Sequence, residues 1–329
     1  MLRGPWPRAT TDGISLQELE AGVAAGAIPR SHLDDAVTRV IGETLAAQEA
    51  AGCGLLTDGQ VRWADPAGAL LAAAVRGDTG PDGLLLCSWR AAAALTTQPV
   101  AQALTGPWTL ALREVGAWGD LGVLSGQAYA HAEVLAAELR LLAEAGCPVV
   151  VVDEPAAVSI GENVKMRAGF VRAHRRLLAD APELHAMLSI TGGSAHAAGP
   201  ETIFGAPYRS HLFDLVAGPD NWYLVRKAPG ERGIVCAALV AVPGRMGVDQ
   251  APVLVWAAQY AASANGRGLD RIGLANASPM AALTPAEASA ALAELARAAS
   301  FATMPLKDAI AAGLDPKALE VMPRFADPA

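Results

Sequence analysis

The sequence predicts an α/β fold built as a single (β/α)8 barrel, and two observations favour it. Short apolar runs alternate with helical stretches along the chain, which is the pattern of parallel strands covered by helices on both faces. Seven such runs are present, and the segment GPWPRAT at residues 4–10 is a candidate for an eighth strand. An open, doubly wound sheet is the alternative, because a count of strands cannot prove closure. We expect one domain over residues 1–329.

Each apolar run ends in turn-forming or polar residues, as strands do before a helix returns along the sheet. The runs, in chain order, cover residues 52–60, 100–107, 148–155, 185–193, 211–227, 234–244 and 271–279. A further apolar segment, GLLLCSW at 83–89, does not fit the alternation. We interpret it as part of a hairpin inserted near residues 83–104.

Three of the helices between the runs are marked by their ends. Residues 33–51 and 131–145 carry apolar side chains at helical spacing, and each stretch stops at a glycine that can take the left-handed conformation found after a helix. Thr284 and Glu287 have the spacing of a capping box, with a proline at the first helical position. Helices are therefore predicted at these three places.

Composition and charge exclude several classes of protein. Hydrophobic residues make up 52% of the 329 residues and charged residues 18%, so the chain can bury a large core. The apolar runs are too short to span a bilayer, and the first residues lack the apolar stretch of a secretory signal, which predicts a cytoplasmic protein with no membrane partner. A net charge of −8 without a basic stripe argues against nucleic acid. The scattered cysteines, four in number, suit free thiols in a reducing compartment.

Polar residues at the carboxyl ends of the strands are the candidates for chemistry, because a barrel of this kind builds its site there. Asp153 and Glu154 directly follow a run of valines, and charged groups at such a place are costly unless they are used. We predict that this pair acts as a general base or as an anchor for a cation. His196 follows the turn after Thr191 and is a candidate for acid–base work. Three other histidines fall in helical stretches and are expected on the surface: His32, His131 and His174.

Four stretches, in order along the chain, match the motifs of one known family. They read RGPWPRAT, LAAQEAAGCGLLTDGQVRW, LTGPWTLAL and LLAEAGCPVVVVDEPA. They resemble, in turn, the segments G-S-x-P-R, Q-E-x-x-G-x-x-x-x-T-D-G-E-x-R, G-P-x-T and L-x-x-A-G-x-x-x-I-Q-x-D-E-P-A of the cobalamin-independent methionine synthases in their short, single-barrel form. The resemblance covers residues 4–299 and implies a TIM barrel that transfers a methyl group.

The chain departs from that family where the family holds its catalytic zinc. The resemblance places Ser189 and Thr191 at the His and Cys of the motif H-x-C-x-G-N, and Ser278 at the last Cys. The next strand, taken to end within residues 222–227, offers no carboxylate for the Glu ligand. Neutral hydroxyls are poor zinc ligands, so we expect no zinc site. Gln60 stands where the family has a Glu that holds the amino group of homocysteine.

Without zinc to activate a thiol, the chain is not expected to be a methionine synthase. The resemblance instead implies a methyltransferase in which 5-methyltetrahydrofolate, or another reduced folate, methylates a small amine or carbon nucleophile. Candidate residues for binding this acceptor are Asp58, Gln60, Arg62, Ser189, Thr191, Arg226 and Ser278. Candidates for stacking or holding the folate are Trp63, Trp108, Trp222 and Arg245.

Two other functions remain open at this point. A metal-independent lyase or decarboxylase of a small carboxylate-bearing substrate would use the same barrel, as the related uroporphyrinogen decarboxylase fold does. A non-catalytic ligand-binding homologue is the other alternative, because loss of ligands also accompanies loss of activity. In each case the expected partner is a small molecule, and a homodimer is left open.

Overall fold

The computed structural model describes residues 1–76, 83–116, 120–243 and 248–315 of the chain. The α/β prediction is confirmed. The described residues contain a sheet of seven parallel strands, each hydrogen-bonded to the next in sequence order. The strands are β1 Leu56–Thr57, β2 Val100–Thr105, β3 Val150–Asp153, β4 Ala186–Ile190, β5 Ser210–Asp214, β6 Gly233–Leu239 and β7 Ile272–Asn276.

Helices connect the strands and cover the outer face of the curled sheet. In the described residues they are α1 Leu16–Ala24, α2 Arg30–Ala50, α3 Pro66–Arg76, α4 Leu84–Ala93, α5 Pro107–Val115, α6 Leu121–Glu144, α7 Val164–Leu178, α8 Pro200–Ile203, α9 Asn221–Lys227, α10 Ala251–Ser263, α11 Pro285–Thr303 and α12 Leu306–Ala311. No helix among the residues described is both long and apolar enough to cross a membrane.

The eighth predicted strand is not observed, but the N-terminal segment contacts both edges of the sheet. The amine of Met1 donates to the carbonyl of Leu274 in β7 at 2.7 Å. At the other edge, the amide of Trp6 donates to the carbonyl of Gly59, just after β1, at 2.9 Å. Residues 4–10 form no strand of their own. The segment therefore lies between β7 and β1 and completes the curvature with irregular backbone.

Apolar side chains fill the concave side of the sheet. Side chains along a strand alternate between its two faces, so every second residue points inward. The buried cluster on this side consists of Ala101, Val151, Met187, Leu212, Val235, Ala237 and Ala275. A larger apolar cluster fills the space between the outer face of the sheet and the helices. The inner cluster forms the floor beneath the carboxyl ends of the strands.

The three local helix predictions are confirmed, whereas the predicted hairpin and the predicted extent of the fifth apolar run are wrong. Helices α2 and α6 are present, although α6 begins earlier than predicted, at Leu121, and α11 begins with the predicted capping box at Thr284. The segment 83–89 is not part of a hairpin, since it opens helix α4. The fifth run is not one strand: β5 ends at Asp214, and NWYLVRK is helix α9.

Two histidines predicted on the surface are buried instead. His131 in α6 faces Glu114 in α5, with Nε2 and Oε2 2.7 Å apart. His174 in α7 is fully buried, and its ring packs on Phe170 and Tyr208. Helical periodicity identified the helices, but each of these side chains lies on the face that turns toward neighbouring elements.

Candidate functional site

Three inward-facing polar side chains, together called the polar layer, lie above the apolar floor at the carboxyl ends of β3, β4 and β5. Asp153 lies two residues beyond the inward-facing Val151, so it faces inward as well. Ser189 and Asp214 follow Met187 and Leu212 with the same spacing. The register pairs Asp153 directly with Ser189. This layer is where a barrel of this type carries its chemistry.

Asp153 is the half-buried carboxylate of this layer. Gln60, in the loop after β1, donates from Nε2 to Oδ2 of Asp153 at 3.1 Å. Burial raises the pKa of Asp153, and the side chains of Ser189, Arg3 and Gln60 oppose that shift. The carboxylate is therefore held in place and partly desolvated, which suits a group that exchanges a proton.

Gln60 is held in a strained conformation by the turn that precedes it. Its φ is +52°, in the left-handed region that non-glycine residues seldom adopt. Oδ1 of Asp58 accepts the amide of Gln60 at 2.9 Å and fixes this turn. Gly59, with φ +67°, leaves room for Trp6, whose Cβ would lie 2.6 Å from a Cβ added at that glycine. Burial also raises the pKa of Asp58.

Arg3 brings a positive charge to the same layer. Its Nε donates to the carbonyl of Asn276 at 3.2 Å, and its Nη2 donates to the carbonyl of Ala277. Partial burial lowers the pKa of Arg3, while the nearby carboxylates of Asp153 and Asp214 raise it. Asn276 is fully buried and accepts the amide of Arg3 on Oδ1 at 2.8 Å. The N-terminal segment thus contributes a guanidinium between two carboxylates.

Asp214 orders the backbone of two loops around the site. Its Oδ1 accepts the amides of Val216 and Ala217 at 3.0 and 2.9 Å, and its Oδ2 accepts the amide of Gly192 at 3.2 Å. Asn221, at the start of α9, accepts the amide of Ala195 at 2.8 Å. The turn after β4, which begins at the buried residue Thr191, is therefore fixed from two sides.

Glu154 faces away from this layer, because adjacent residues of an extended strand end point to opposite sides. Its Oε1 accepts the amide of Trp108 at 2.8 Å, and its Oε2 accepts the amide and hydroxyl of Thr109 at 2.8 and 2.6 Å. Nε2 of His174 lies 3.1 Å from Oε1. Glu154 is fully buried and its oxygens are engaged at the N-terminus of α5. The structure does not place it beside Asp153 as a second catalytic group.

Trp108 is unavailable as a stacking surface in the site. It is 0% exposed and packs edge-on against Phe170, so the prediction that it stacks a ligand disagrees with its position. Trp222 lies in α9, is half-buried and packs against Trp256 and Tyr260, with ring centroids 4.8 and 5.3 Å away. Stacking of a ligand on Trp222 stays a prediction.

The remaining residues that the sequence predicted for the site lie at several places in the structure. His196 is 44% exposed, and its Nδ1 lies 3.7 Å from Oδ2 of Asp220. Ser278 follows β7, and its carbonyl accepts a hydrogen bond from Nδ2 of Asn276 at 2.8 Å.

Arg226 lies in the last turn of α9 and not at a strand end, because the fifth run divides into β5 and a helix. Arg62 and Trp63 line a cleft beside the loop after β1. Arg245 lies outside the described residues.

The residues of this layer do not fit a zinc ion. Zinc in proteins is held by thiolates, imidazoles and carboxylates. The described mouth offers Asp153 and Asp214, but the oxygens of Asp214 accept backbone amides and the guanidinium of Arg3 lies nearby. Among the residues described, no three His, Cys, Asp or Glu side chains are grouped so that they could hold a metal ion. The expectation that β5 ends without a carboxylate is nevertheless wrong, because it ends at Asp214.

Three residues of the site escaped the sequence analysis: Arg3, Asp214 and Asn276. Asp214 was missed because the fifth apolar run was extended through a helix, which moved its end to Lys227. The two-residue period from Leu212 was the signal that could have identified it. Asn276 is polar and stands at the end of the last apolar run, but the resemblance directed attention to Ser278 in the same run. Arg3 reaches Asn276 only through long-range contacts, and nothing local in the sequence marks it.

Comparison with known proteins identifies the fold. No model of a protein family matches the sequence, and no curated protein matches it. A candidate vitamin-B12-independent methionine synthase from Listeria monocytogenes is similar in structure, with a TM-score of 0.69 and 14% identity over 92% of this chain and 96% of that one. A B12-independent methionine synthase from Shewanella sp., in complex with selenomethionine, has a TM-score of 0.69 and 13% identity over 94% and 97%.

A methyltransferase from Methanosarcina mazei is also similar, with a TM-score of 0.55 and 14% identity over 89% of this chain and 93% of that one. At identities this low, the structural similarity establishes a common TIM-barrel-like fold and nothing about activity. Because one fold supports many activities, function has to be argued from the site.

Proposed function

We propose that the protein is a methyltransferase that uses a reduced folate, 5-methyltetrahydrofolate, to methylate a small amine or carbon nucleophile. The observation that carries the proposal is the desolvated carboxylate of Asp153, held by Gln60 in the mouth of the barrel. The names of the similar structures, two methionine synthases and a methyltransferase, support methyl transfer as the reaction class.

In this proposal Asp153 receives a proton from the acceptor. The lone pair of the acceptor nitrogen or carbon forms a bond to the methyl carbon as the bond from that carbon to N5 of the folate breaks. The acceptor loses a proton to Asp153, and N5 gains one from solvent, so that tetrahydrofolate leaves. A carboxylate with a raised pKa is the better base for this step, because its conjugate acid is weaker.

The remaining polar groups of the mouth orient the acceptor. Ser189 lies next to Asp153 in the register, and Thr191 begins the loop that Asp214 fixes. These are neutral hydrogen-bonding groups, which suit an acceptor that is already nucleophilic and needs positioning more than activation. An acceptor thiol would lack the zinc that makes it a thiolate, so homocysteine is not the proposed acceptor.

A test uses isotope-labelled 5-methyltetrahydrofolate with a panel of small amines, carbon acids and homocysteine. Transfer of label to an amine or carbon acid, and not to homocysteine, is the expected result. The variant Asp153→Asn should lower the rate about 100-fold, because general-base catalysis is lost while the shape is kept. Label on homocysteine alone, or an unchanged rate in the variant, would contradict the proposal.

One observation favours a second candidate, a metal-independent lyase or decarboxylase. Arg3 carries a positive charge in the mouth, where it could hold a substrate carboxylate. Release of carbon dioxide from small carboxylic acids, with no dependence on folate, would support this candidate. Substitution Arg3→Met should then raise KM, since the cation would bind the substrate.

A further inference from the structure

A cleft of about 540 Å³ is lined in part by the loop after β1, the same loop that carries Gln60. Its other walls come from α1, α2, α3 and α4. Leu33, Val37 and Leu84 supply an apolar side, and the half-buried indole of Trp63 supplies an aromatic one. The cleft therefore combines apolar surface with charged side chains.

The charged side chains that line this cleft are paired, with one exception. Glu20 is bound by both Nη atoms of Arg8, Asp34 is 3.1 Å from Nε of Arg30, and Asp65 forms an ion pair with Arg113. These contacts leave no unmatched negative charge at those positions. The exception is the guanidinium of Arg62.

Nε of Arg62 is fully buried and has no hydrogen-bond partner among the described residues. A buried donor without a partner is costly, so such a group usually has one when the protein is functioning. The nearby negative charge is Asp58, on which Arg62 acts through space. The oxygens of Asp58 accept the amide of Gln60 and the hydroxyl of Ser88, and neither of them accepts Nε of Arg62. Arg62 is therefore an unsatisfied cation on the wall of a cleft.

We propose that this cleft binds an aromatic carboxylate, with the carboxylate on Arg62 and the ring against Trp63. Guanidinium groups bind carboxylates through paired, charge-assisted hydrogen bonds, and indoles pack against flat rings. Resting on the proposed function, the ligand is the benzoyl-glutamate end of the reduced folate, with its aromatic ring against Trp63 and a carboxylate of its glutamate on Arg62. The loop from Asp58 to Arg62 then joins the two sites, because Gln60 in the same loop reaches Asp153.

Binding of benzoate, an aromatic carboxylate with no pterin, tests the cleft by itself. Ligand-observed NMR titration should give saturable binding to the wild-type protein and about tenfold weaker binding to Arg62→Met, since a charge-assisted pair is lost. Arg62→Lys should restore part of the affinity. The matched control Arg30→Met removes a cleft arginine that already has a partner, and should change the affinity less than twofold. Thermal unfolding of each variant confirms that it is folded.

The same titration overturns the inference if benzoate fails to bind at 20 mM, or if Arg62→Met binds it as well as wild type does. A parallel titration with 5-methyltetrahydrofolate separates this inference from the proposed function. Folate binding weakened by Arg62→Met supports both. Folate binding unaffected by that variant overturns the assignment of the folate tail, whereas no folate binding with intact benzoate binding overturns the proposed function and leaves the cleft.

Discussion

At the residue scale, Asp153 and Glu154 show how two neighbouring carboxylates acquire different roles. Asp153 faces the concave side of the sheet, is half-buried and contacts Gln60. Glu154 faces the helices, where Trp108 and Thr109 donate to it. The sequence predicted a functional carboxylate pair at the end of β3, and the alternation of strand side chains decides which of the two faces the concave side of the sheet.

His211 in β5 is a residue whose chemistry affects stability and not the site. It is buried among Phe204, Tyr208 and Phe213, and burial lowers its pKa to about 3 from an ordinary value of 6.5. The folded protein therefore holds this imidazole neutral, while the unfolded chain takes up a proton below pH 6.5. Stability attributable to His211 is fully present above pH 6.5 and is lost as the pH falls toward 3.

The variant His211→Leu should flatten this part of the pH dependence. In the wild-type protein, His211 alone lowers the free energy of unfolding by as much as about 1.4 kcal/mol per pH unit below its unfolded-state pKa. Urea unfolding at several values between pH 6.5 and pH 4 measures the slope. His32→Leu, on the exposed part of α2, serves as the control and should keep the wild-type slope. Equal slopes in wild type and His211→Leu would refute the assignment.

At the scale of elements, buried glutamates from other helices and strands hold the N-termini of two helices. Glu138 of α6 accepts the amides of Leu84 and Leu85 at 2.8 and 3.0 Å, at the start of α4. Glu154 likewise accepts the amides of Trp108 and Thr109 at the start of α5. Gly106 leaves room for the carboxylate of Glu154, since a Cβ at Gly106 would lie 2.2 Å from Oε1 of Glu154. A negative charge at a helix N-terminus satisfies free amides and complements the helix dipole.

The variant Glu138→Gln tests this arrangement away from the candidate site. The new glutamine places its NH2 group against a backbone N–H of Leu84 or Leu85, and two donors cannot form a hydrogen bond. We therefore expect the free energy of unfolding to fall by about 1–3 kcal/mol. Glu144→Gln, an exposed change at the end of the same helix, should alter it by less than about 0.5 kcal/mol. Chemical denaturation measures both. A loss for Glu138→Gln no larger than that of the control would mean that the carboxylate is not required.

Elements whose ends are encoded locally were predictable, and those fixed from a distance were not. The capping box at Thr284 needs only Glu287, three residues away, so sequence sufficed. Helix α4 looked like a hairpin because its stabilising glutamate lies 54 residues further along the chain. The apolar runs located the strands well, but their patterns could not show that α9 follows β5 without another strand.

At the scale of the whole molecule, the N-terminal segment links the first and last strands and contributes Arg3 to the mouth. Asn276 of β7 holds it on both sides, accepting the amide of Arg3 and donating to its carbonyl at 2.7 Å. At the other edge Trp6 binds to the backbone after β1. The alternation of apolar runs and helices predicted the parallel sheet. The link between its edges through irregular backbone was not predictable, because such a segment carries no periodic pattern.

Replacing Asn276 by Ala should release this segment from β7. The buried amide makes hydrogen bonds to Arg3 and to the carbonyl of Ser278, so the free energy of unfolding should fall by about 2–4 kcal/mol. Hydrogen exchange of the backbone amides of residues 1–6 should become faster. Asn221→Ala removes another fully buried asparagine and should destabilise the protein without this local effect. Unchanged exchange in residues 1–6 would contradict the role assigned to Asn276.

Calorimetric titration of 5-methyltetrahydrofolate into the protein at high micromolar concentration is the most direct test of folate as the methyl donor. We expect a saturable isotherm with one ligand per chain. Asp153→Asn should bind the folate with an affinity within about twofold of wild type while losing methyl transfer, because Asp153 is proposed as the base toward the acceptor. No binding of the folate to the wild-type protein would contradict the proposal.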